Sequence, residues 1–73
     1  MKRKELQHKI GQKVVWLRMA KNWSQADLAR ATSKDRQSIE RLENGKVNPS
    51  VYYLQEVAKA LEVPLLKIFE WDE

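Results

Sequence analysis

The sequence predicts an all-α domain that is compact and built from five short helices. Apolar side chains recur every three or four residues along most of the chain, which is the period of a helix and not of a strand. Residues that favour helix N-caps precede three of the apolar stretches, at Ser24, Asp35 and Ser50. With 73 residues, 42% of them hydrophobic, the chain has enough material for one domain with one modest core.

The first helix is predicted over about residues 4–21. Its apolar stripe consists of Leu6, Ile10, Val14 and Leu17. Gly11 lies inside this helix, where a glycine costs about 1 kcal/mol relative to alanine. We therefore expect either close packing of another element against Gly11 or fraying of the N-terminal turn.

The second helix is predicted over about Gln25–Thr32. Ser24 is a favourable N-cap, and Asp27 three residues later gives the pattern of a capping box, although Glu or Gln is more usual there. Leu28 and Ala29 are expected in the core, since helices that cross steeply need a small side chain where they meet.

The third helix is predicted over about Arg36–Glu43, after a turn at Ser33 and Lys34. Asp35 would cap it, because a carboxylate there accepts bonds from free amides and interacts favourably with the positive end of the helix dipole. The residues after the helix, Asn44-Gly45, tolerate the left-handed conformation that ends many helices. The core-facing side chains would be Ile39 and Leu42.

Two further helices complete the predicted fold. Pro49 disfavours helix just before it, so Ser50 is expected to cap a fourth helix over about residues 51–61. Its apolar stripe would consist of Val51, Leu54, Val57, Ala58 and Leu61. Pro64 fits the first turn of a last short helix over about residues 65–70. The side chains closing the core there would be Val63, Leu65, Ile68 and Phe69.

Composition argues against several kinds of site. The chain has no cysteine, which excludes disulfides and thiolate metal sites, and its one histidine, His8, is flanked by polar residues. No serine has a histidine and a carboxylate arranged near it, and no glycine-rich phosphate loop is present. We expect no metal, no cofactor, no small-molecule ligand and no catalytic centre, so the protein is predicted not to be an enzyme.

No membrane or targeting segment is predicted. No apolar run approaches the roughly 20 residues that a membrane-spanning helix needs. The start of the chain, residues 1–10, is charged and leads into no apolar signal segment. A cytoplasmic protein is therefore expected.

The net charge of +4 is unevenly distributed. Residues 1–41 carry 11 basic and 4 acidic side chains, a net +7, whereas residues 42–73 carry 3 basic and 6 acidic side chains, a net −3. A basic half fits a protein with one nucleic-acid-binding face, and ordinary surface charge is an equally good explanation of the totals. Lys2, Arg3 and Lys4 would either follow DNA phosphates as an arm or form a disordered tail.

At residues 10–69 the chain resembles the phage repressor and Cro (XRE-like) helix-turn-helix family. The segments that carry the resemblance occur in the order IGQKVVWLR, SQADLA, SIERLENGK, NPS and LQEVAKALEVPL. It implies a five-helix repressor-like domain in which helices two and three form the helix-turn-helix. Residues 1–9 would then be a basic extension of helix one, residues 10–70 the DNA-binding domain and residues 71–73 a short tail.

Two features depart from the family pattern. Ser33 stands at the turn position usually held by glycine, and a serine in the left-handed conformation costs on the order of 1 kcal/mol. The second departure is additional apolar side chains, at Val15, Trp16, Met19, Tyr52, Leu66 and Trp71.

The resemblance implies that Arg36, Gln37 and Arg41 face the major groove of DNA. Arg36 can donate two bonds to guanine, and Gln37 can pair with adenine through two bonds, each pair discriminating by about 1–3 kcal/mol. Arg41 would read a guanine or hold a phosphate, and Glu40, which also faces outward, could accept a bond from cytosine. Without the family pattern, a solvated helix face would be the better explanation of these residues.

The resemblance also implies backbone contacts and one structural pair. Gln25, the first residue of helix two, would bind a phosphate and brace the helix pair. The other residues expected along the DNA backbone are Lys34, Ser38, Asn44, Lys46 and Ser50. Arg18 and Glu43 match a family pair that forms a partly buried ion pair between helices one and three.

The predicted function is a sequence-specific regulator of transcription, acting as a repressor that binds a short inverted repeat in double-stranded DNA as a homodimer. One helix-turn-helix reads only a few base pairs, so a dimer reading two half-sites is expected. Leu66, Phe69 and Trp71 would form the two-fold surface. The alternative to this surface is that Leu66 and Trp71 fold back onto Val15 and Trp16 of helix one and complete the core of the monomer. The alternatives are an antitoxin-like protein that mainly binds a toxin, and an adaptor that keeps the fold without reading DNA.

Overall fold

The chain forms four α-helices and one 3-10 helix in the computed structural model, which describes residues 1–71. The elements are α1 (Arg3–Ala20), α2 (Gln25–Thr32), α3 (Arg36–Glu43), α4 (Val51–Ala60) and a 3-10 helix (Leu65–Phe69). No strand occurs within residues 1–71, so the all-α prediction is confirmed. Of the predicted tail over residues 71–73, Asp72 and Glu73 lie outside the described residues.

The predicted number of five α-helices is wrong, because the last element is a 3-10 helix. Its backbone bonds join residues three apart: the Lys67 amide donates to the Pro64 carbonyl, and the Glu70 amide donates to the Lys67 carbonyl. The extended backbone at Pro64 and Glu70 limits the helix to five residues. Such short pieces commonly adopt the tighter 3-10 geometry.

Side-chain caps fix where α2, α3 and α4 begin. Ser24 Oγ accepts a bond from the Asp27 amide at 3.1 Å, and the Asp27 carboxylate accepts one from the Ser24 amide at 2.8 Å. These bonds form a complete capping box, and they hold the pKa of Asp27 below its usual value. Asp35 accepts from the Ser38 amide at 2.6 Å, and Ser50 caps α4 in the same way.

The core lies where α1 and α3 meet α2, α4 and the 3-10 helix. Its buried apolar residues are Ile10, Val14, Leu17, Leu28, Ala29, Ile39, Leu42, Leu54, Val57, Ala58, Leu61 and Ile68. Three of the predicted core residues, Leu6, Val51 and Phe69, are instead exposed. Leu6 and Val51 lie in the first turns of α1 and α4, and Phe69 ends the 3-10 helix, so each stands at an end that the other elements leave uncovered.

Gly11 marks the closest approach of α1 and α3. A Cβ atom at this position would lie 2.4 Å from the Glu43 carbonyl oxygen and 2.6 Å from that of Leu42. Both atoms belong to the backbone, so they cannot rotate away as a side chain would. The glycine predicted to allow close packing therefore allows the last turn of α3 to rest directly on α1.

We expect Gly11→Ala to destabilise the domain by about 1–3 kcal/mol, because α1 and α3 must move apart to admit a methyl group. Urea unfolding followed by circular dichroism measures this change. Gln12→Ala is the matched control: Gln12 is exposed, and its loss should change stability by less than about 0.5 kcal/mol. Equal stability of the two variants would contradict the close approach.

Candidate nucleic-acid interface

The turn between α2 and α3 has the left-handed backbone that the family pattern requires. Ser33 has φ 57° and ψ 30°, and the Lys34 amide donates to the Ala29 carbonyl at 3.0 Å. Serine thus adopts the conformation that glycine would adopt there. The departure from the family pattern changes the residue and not the geometry of the turn.

One face of α3 is polar and exposed, and the opposite face is buried. Arg36, Gln37, Glu40 and Arg41 are all exposed, and at about 100° per residue they lie within an arc of roughly 140°. Ile39, Leu42 and Glu43 are buried on the other side. The three residues predicted to read bases therefore share one solvent-facing surface with Glu40.

A buried ion pair holds α3 against α1 and α2. Arg18 Nε donates to Glu43 Oε2 at 2.7 Å, and Arg18 Nη2 donates to Glu43 Oε1 at 3.1 Å. The Glu43 side chain is only 2% exposed and that of Arg18 13%. Arg18 Nη1 also donates to the Trp23 carbonyl at 2.7 Å, which ties the end of α1 to the start of the next helix. Such a two-pronged arginine–carboxylate contact fixes orientation as well as distance.

Gln25 connects this ion pair to the exposed face of α3. Its Nε2 donates to Glu43 Oε1 at 2.9 Å, and its Oε1 accepts a bond from Arg36 Nη1 at 3.4 Å. The Gln25 amide is thus oriented by Glu43, with its oxygen turned towards Arg36. A phosphate contact by Gln25 remains a prediction, whereas its bonds to α3 are part of the folded domain.

Lys34 and Ser38, predicted to contact the DNA backbone, are bound to α4 in the structure. Lys34 Nζ lies 3.1 Å from Glu56 Oε1 and 5.1 Å from the centre of the Tyr53 ring. The nearby Glu56 carboxylate is the main reason why the pKa of Lys34 is raised above its usual value. Ser38 Oγ and the Tyr53 hydroxyl lie 2.6 Å apart. These contacts tie the turn and the first part of α3 to α4.

Tyr53 was missed by the reasoning from sequence, although it contacts both residues. It stands three residues after the Ser50 cap, in the first turn of α4. A shallow depression of about 370 Å³ lies between it and α3, lined among others by Gln37, Arg41 and Ser50. No local sequence signal links Tyr53 to Ser38, because 15 positions separate them.

The remaining backbone candidates lie after α3. Asn44 caps its C-terminus, and Lys46 is exposed in the following loop, where its carbonyl accepts a bond from Arg41 Nη2 at 3.4 Å. At Gly45, a Cβ atom would lie 2.9 Å from the His8 Cα atom, so the N-terminal half of α1 packs against this turn. The basic residues before His8 are helical from Arg3 onward and do not form an extended arm.

The three predicted dimer residues differ in how exposed they are. Leu66 is 73% exposed, whereas Trp71 packs against the core with its ring centre 6.3 Å from that of Phe69. The Lys9 ammonium of α1 lies 5.9 Å from the Trp71 ring centre. Trp71 thus packs back onto the folded domain, whereas Leu66 remains exposed at the surface.

Two other kinds of feature are absent from the part of the chain that the structure describes. None of its helices has the length and apolar character needed to cross a membrane. Among residues 1–71, no three His, Cys, Asp or Glu side chains come together in a way that could hold a metal ion.

Comparison with known structures gives the same architecture. C.AhdI, a restriction-modification controller protein from Aeromonas hydrophila, is 33% identical, with a TM-score of 0.84 over 86% of this chain and 96% of that one. The restriction-modification controller protein C.Esp1396I is 27% identical, with a TM-score of 0.78 over 93% of this chain and 96% of that one. An HTH_3-family transcriptional regulator from Vibrio cholerae has a TM-score of 0.88 at 20% identity, which shows the fold alone. The alignment covers 93% of this chain and 38% of the Vibrio protein, so this chain spans well under half of that longer protein.

Sequence comparison identifies the family. No curated protein sequence matches the chain. The model of the HTH_3 helix-turn-helix family, however, matches residues 14–68, which include the C-terminal part of α1 and all of the helix-turn-helix. The chain therefore belongs to the HTH_3 family, the XRE-type helix-turn-helix transcription regulators that bind DNA.

Proposed function

We propose that this protein is a sequence-specific repressor that binds a short inverted repeat in double-stranded DNA as a homodimer. The proposal rests on the exposed face of α3, which carries Arg36, Gln37 and Arg41. The buried Arg18–Glu43 pair fixes the other side of this helix to α1. A helix fixed on its buried side can present its outer side chains to base edges with little loss of conformational freedom. Arginine and glutamine there suit guanine and adenine.

Backbone contacts on both sides of α3 would set its position in the groove. Gln25 lies at the N-terminus of α2, where free amides favour a phosphate, and Asn44, Lys46 and Ser50 follow α3. We propose that these four residues hold the two edges of the groove. The bonds from Lys34 and Ser38 to α4 support a positioning role for them in place of the predicted phosphate contacts.

A homodimer would supply the specificity that one module lacks. Leu66 is a large apolar residue exposed on the 3-10 helix, with the partly exposed Phe69 three residues later. A two-fold axis through this patch would bury the same side chains from both copies. Two recognition helices could then read half-sites about 34 Å apart. The similarity to two restriction-modification controller proteins supports a transcription regulator of that kind.

Selection of binding sites from random duplex DNA at one fixed salt concentration tests this function. We expect enrichment of an inverted repeat whose half-site centres are about one helical turn apart. Weak, salt-sensitive binding without enrichment would contradict operator recognition, because phosphate contacts alone carry no sequence information. It would favour an antitoxin-like protein or an adaptor.

A further inference from the structure

A groove of about 710 Å³ runs along α1 on the side turned away from α3. One wall is formed by Lys9, Lys13 and Trp16 of α1, and the other by Phe69, Glu70 and Trp71; we call this the α1 groove. Trp16 lies five residues after Gly11, which places it about 140° around the helix from the contact with α3. The α1 groove is therefore separate from the proposed DNA-reading face.

Trp16 is the main exposed apolar side chain of the α1 groove. Its side chain is 60% exposed, and Met19, nearly one turn further along α1, is exposed to the same extent. Neither residue belongs to the core or to the layer packed against it. Large apolar side chains clustered on a surface mark sites of association, and tryptophan often carries much of the binding energy at protein interfaces.

The charges of the α1 groove define what would fit it. The Lys13 ammonium lies 4.5 Å from the Trp16 ring centre, and that of Lys9 lies 5.9 Å from the Trp71 ring centre. Neither lysine forms a salt bridge with a carboxylate of the described residues. Both lysines belong to α1, and each lies beside an aromatic ring. The carboxylate on the other wall, Glu70, is paired with Lys67 at 3.2 Å. An apolar side chain flanked by carboxylates would therefore suit the groove.

We propose that the α1 groove docks an acidic amphipathic helix of another protein. The apolar face of that helix would cover Trp16, and its carboxylates would pair with Lys9 and Lys13. Because α3 faces away from the groove, the partner would be able to bind while α3 contacts DNA. Docking would give the regulator a means of control by a second protein.

Two other occupants fit the α1 groove less well. A second copy related by a two-fold axis through the groove would bring Lys9 and Lys13 against the same lysines, where like charges repel. An operator duplex held by α3 would lie on the other side of α1, so the groove does not face that DNA. The proposal therefore commits to an acidic protein helix.

The test uses a labelled synthetic helical peptide with leucines at positions i, i+3, i+4 and i+7 and aspartates beside them. Fluorescence anisotropy with the full chain should show binding, and Trp16→Ala should weaken it by about tenfold or more. Replacing Lys9 and Lys13 together with glutamate should abolish binding of this peptide and create binding of a matched peptide with lysines in place of the aspartates. Tyr52→Ala and Lys59→Glu, both exposed on α4, are the controls and should bind like the unaltered protein.

Several outcomes would overturn the proposal. These are failure of the peptide to bind, equal binding by Trp16→Ala, and no change of preference after charge reversal. Loss of self-association in Trp16→Ala, measured by analytical ultracentrifugation, would assign the groove to a second copy of the chain. Displacement of the peptide by single-stranded oligothymidylate would assign it to nucleic acid. Operator binding is measured separately and should be unchanged in Trp16→Ala, so failure here leaves the DNA-binding proposal standing.

Discussion

Replacing Arg36 and Gln37 together with alanine is expected to remove the preference of the protein for its operator while leaving the fold intact. Each side chain can form a two-bond contact with a base that discriminates by about 1–3 kcal/mol, so each loss should reduce specificity by about tenfold or more. Both residues are exposed, so stability should change little. Fluorescence anisotropy with the selected operator and a scrambled duplex, at one salt concentration, measures the preference.

Lys46→Ala is the matched control for this double variant. Lys46 is exposed in the loop after α3, where it would contact a phosphate and not a base. Its removal should weaken binding to operator and scrambled DNA alike and lower the salt dependence by about one unit of slope. Helix content by circular dichroism should be unchanged in both variants. Retained operator preference in the double variant would show that α3 is not the recognition helix.

The second large effect is expected for Glu43→Ala, which should destabilise the domain by about 3–5 kcal/mol. The variant leaves the Arg18 guanidinium without its carboxylate in a site where little water can reach it, and it also removes the acceptor of the Gln25 amide. This is a large part of the roughly 5–15 kcal/mol that stabilises a typical domain. Urea unfolding followed by circular dichroism gives the free energy.

Glu62→Ala provides the comparison for Glu43→Ala. Glu62 also forms an ion pair, with Lys21 at 2.8 Å, but its side chain is 78% exposed. A pair in contact with water contributes only about 0–1 kcal/mol, so its loss should be small. The double replacement Arg18→Met with Glu43→Leu should recover part of the stability lost in Glu43→Ala, because no unpaired charge remains. A similar cost for Glu43→Ala and Glu62→Ala would contradict the buried character of the pair.

Features that depend on neighbouring residues could be predicted from the sequence. The capping box joins Ser24 and Asp27, three residues apart, and the Asp35 cap acts over the same distance. A glycine inside a helix pointed to either close packing or fraying at Gly11, and the structure shows close packing. The family resemblance added the order of the helices and the Arg18–Glu43 pair, which join α1 and α3 over 25 positions.

Two kinds of feature could not be predicted from neighbouring residues. They are the exposure of residues at helix ends and the contacts between side chains that are far apart in the sequence. Periodicity identified the face on which Leu6 and Val51 lie, but not whether another element reaches that end of the helix. The contacts of Lys34 and Ser38 required the positions of Glu56 and Tyr53 on α4. A basic or hydroxyl side chain near a recognition helix suits a phosphate and a neighbouring helix equally well, and only the fold separates the two.

The division of α3 into an exposed and a buried side determines how the domain could be engineered for new target sequences. Arg36, Gln37, Glu40 and Arg41 face solvent, so new side chains there would alter base preference with little effect on folding. Ile39, Leu42 and Glu43 must be kept, because they hold the helix in place. A foreign helix without a glutamate at position 43 would remove the carboxylate that orients Gln25, and with it the contact from Gln25 to position 36. Successful retargeting would therefore change these four exposed positions and leave the buried side of the helix native.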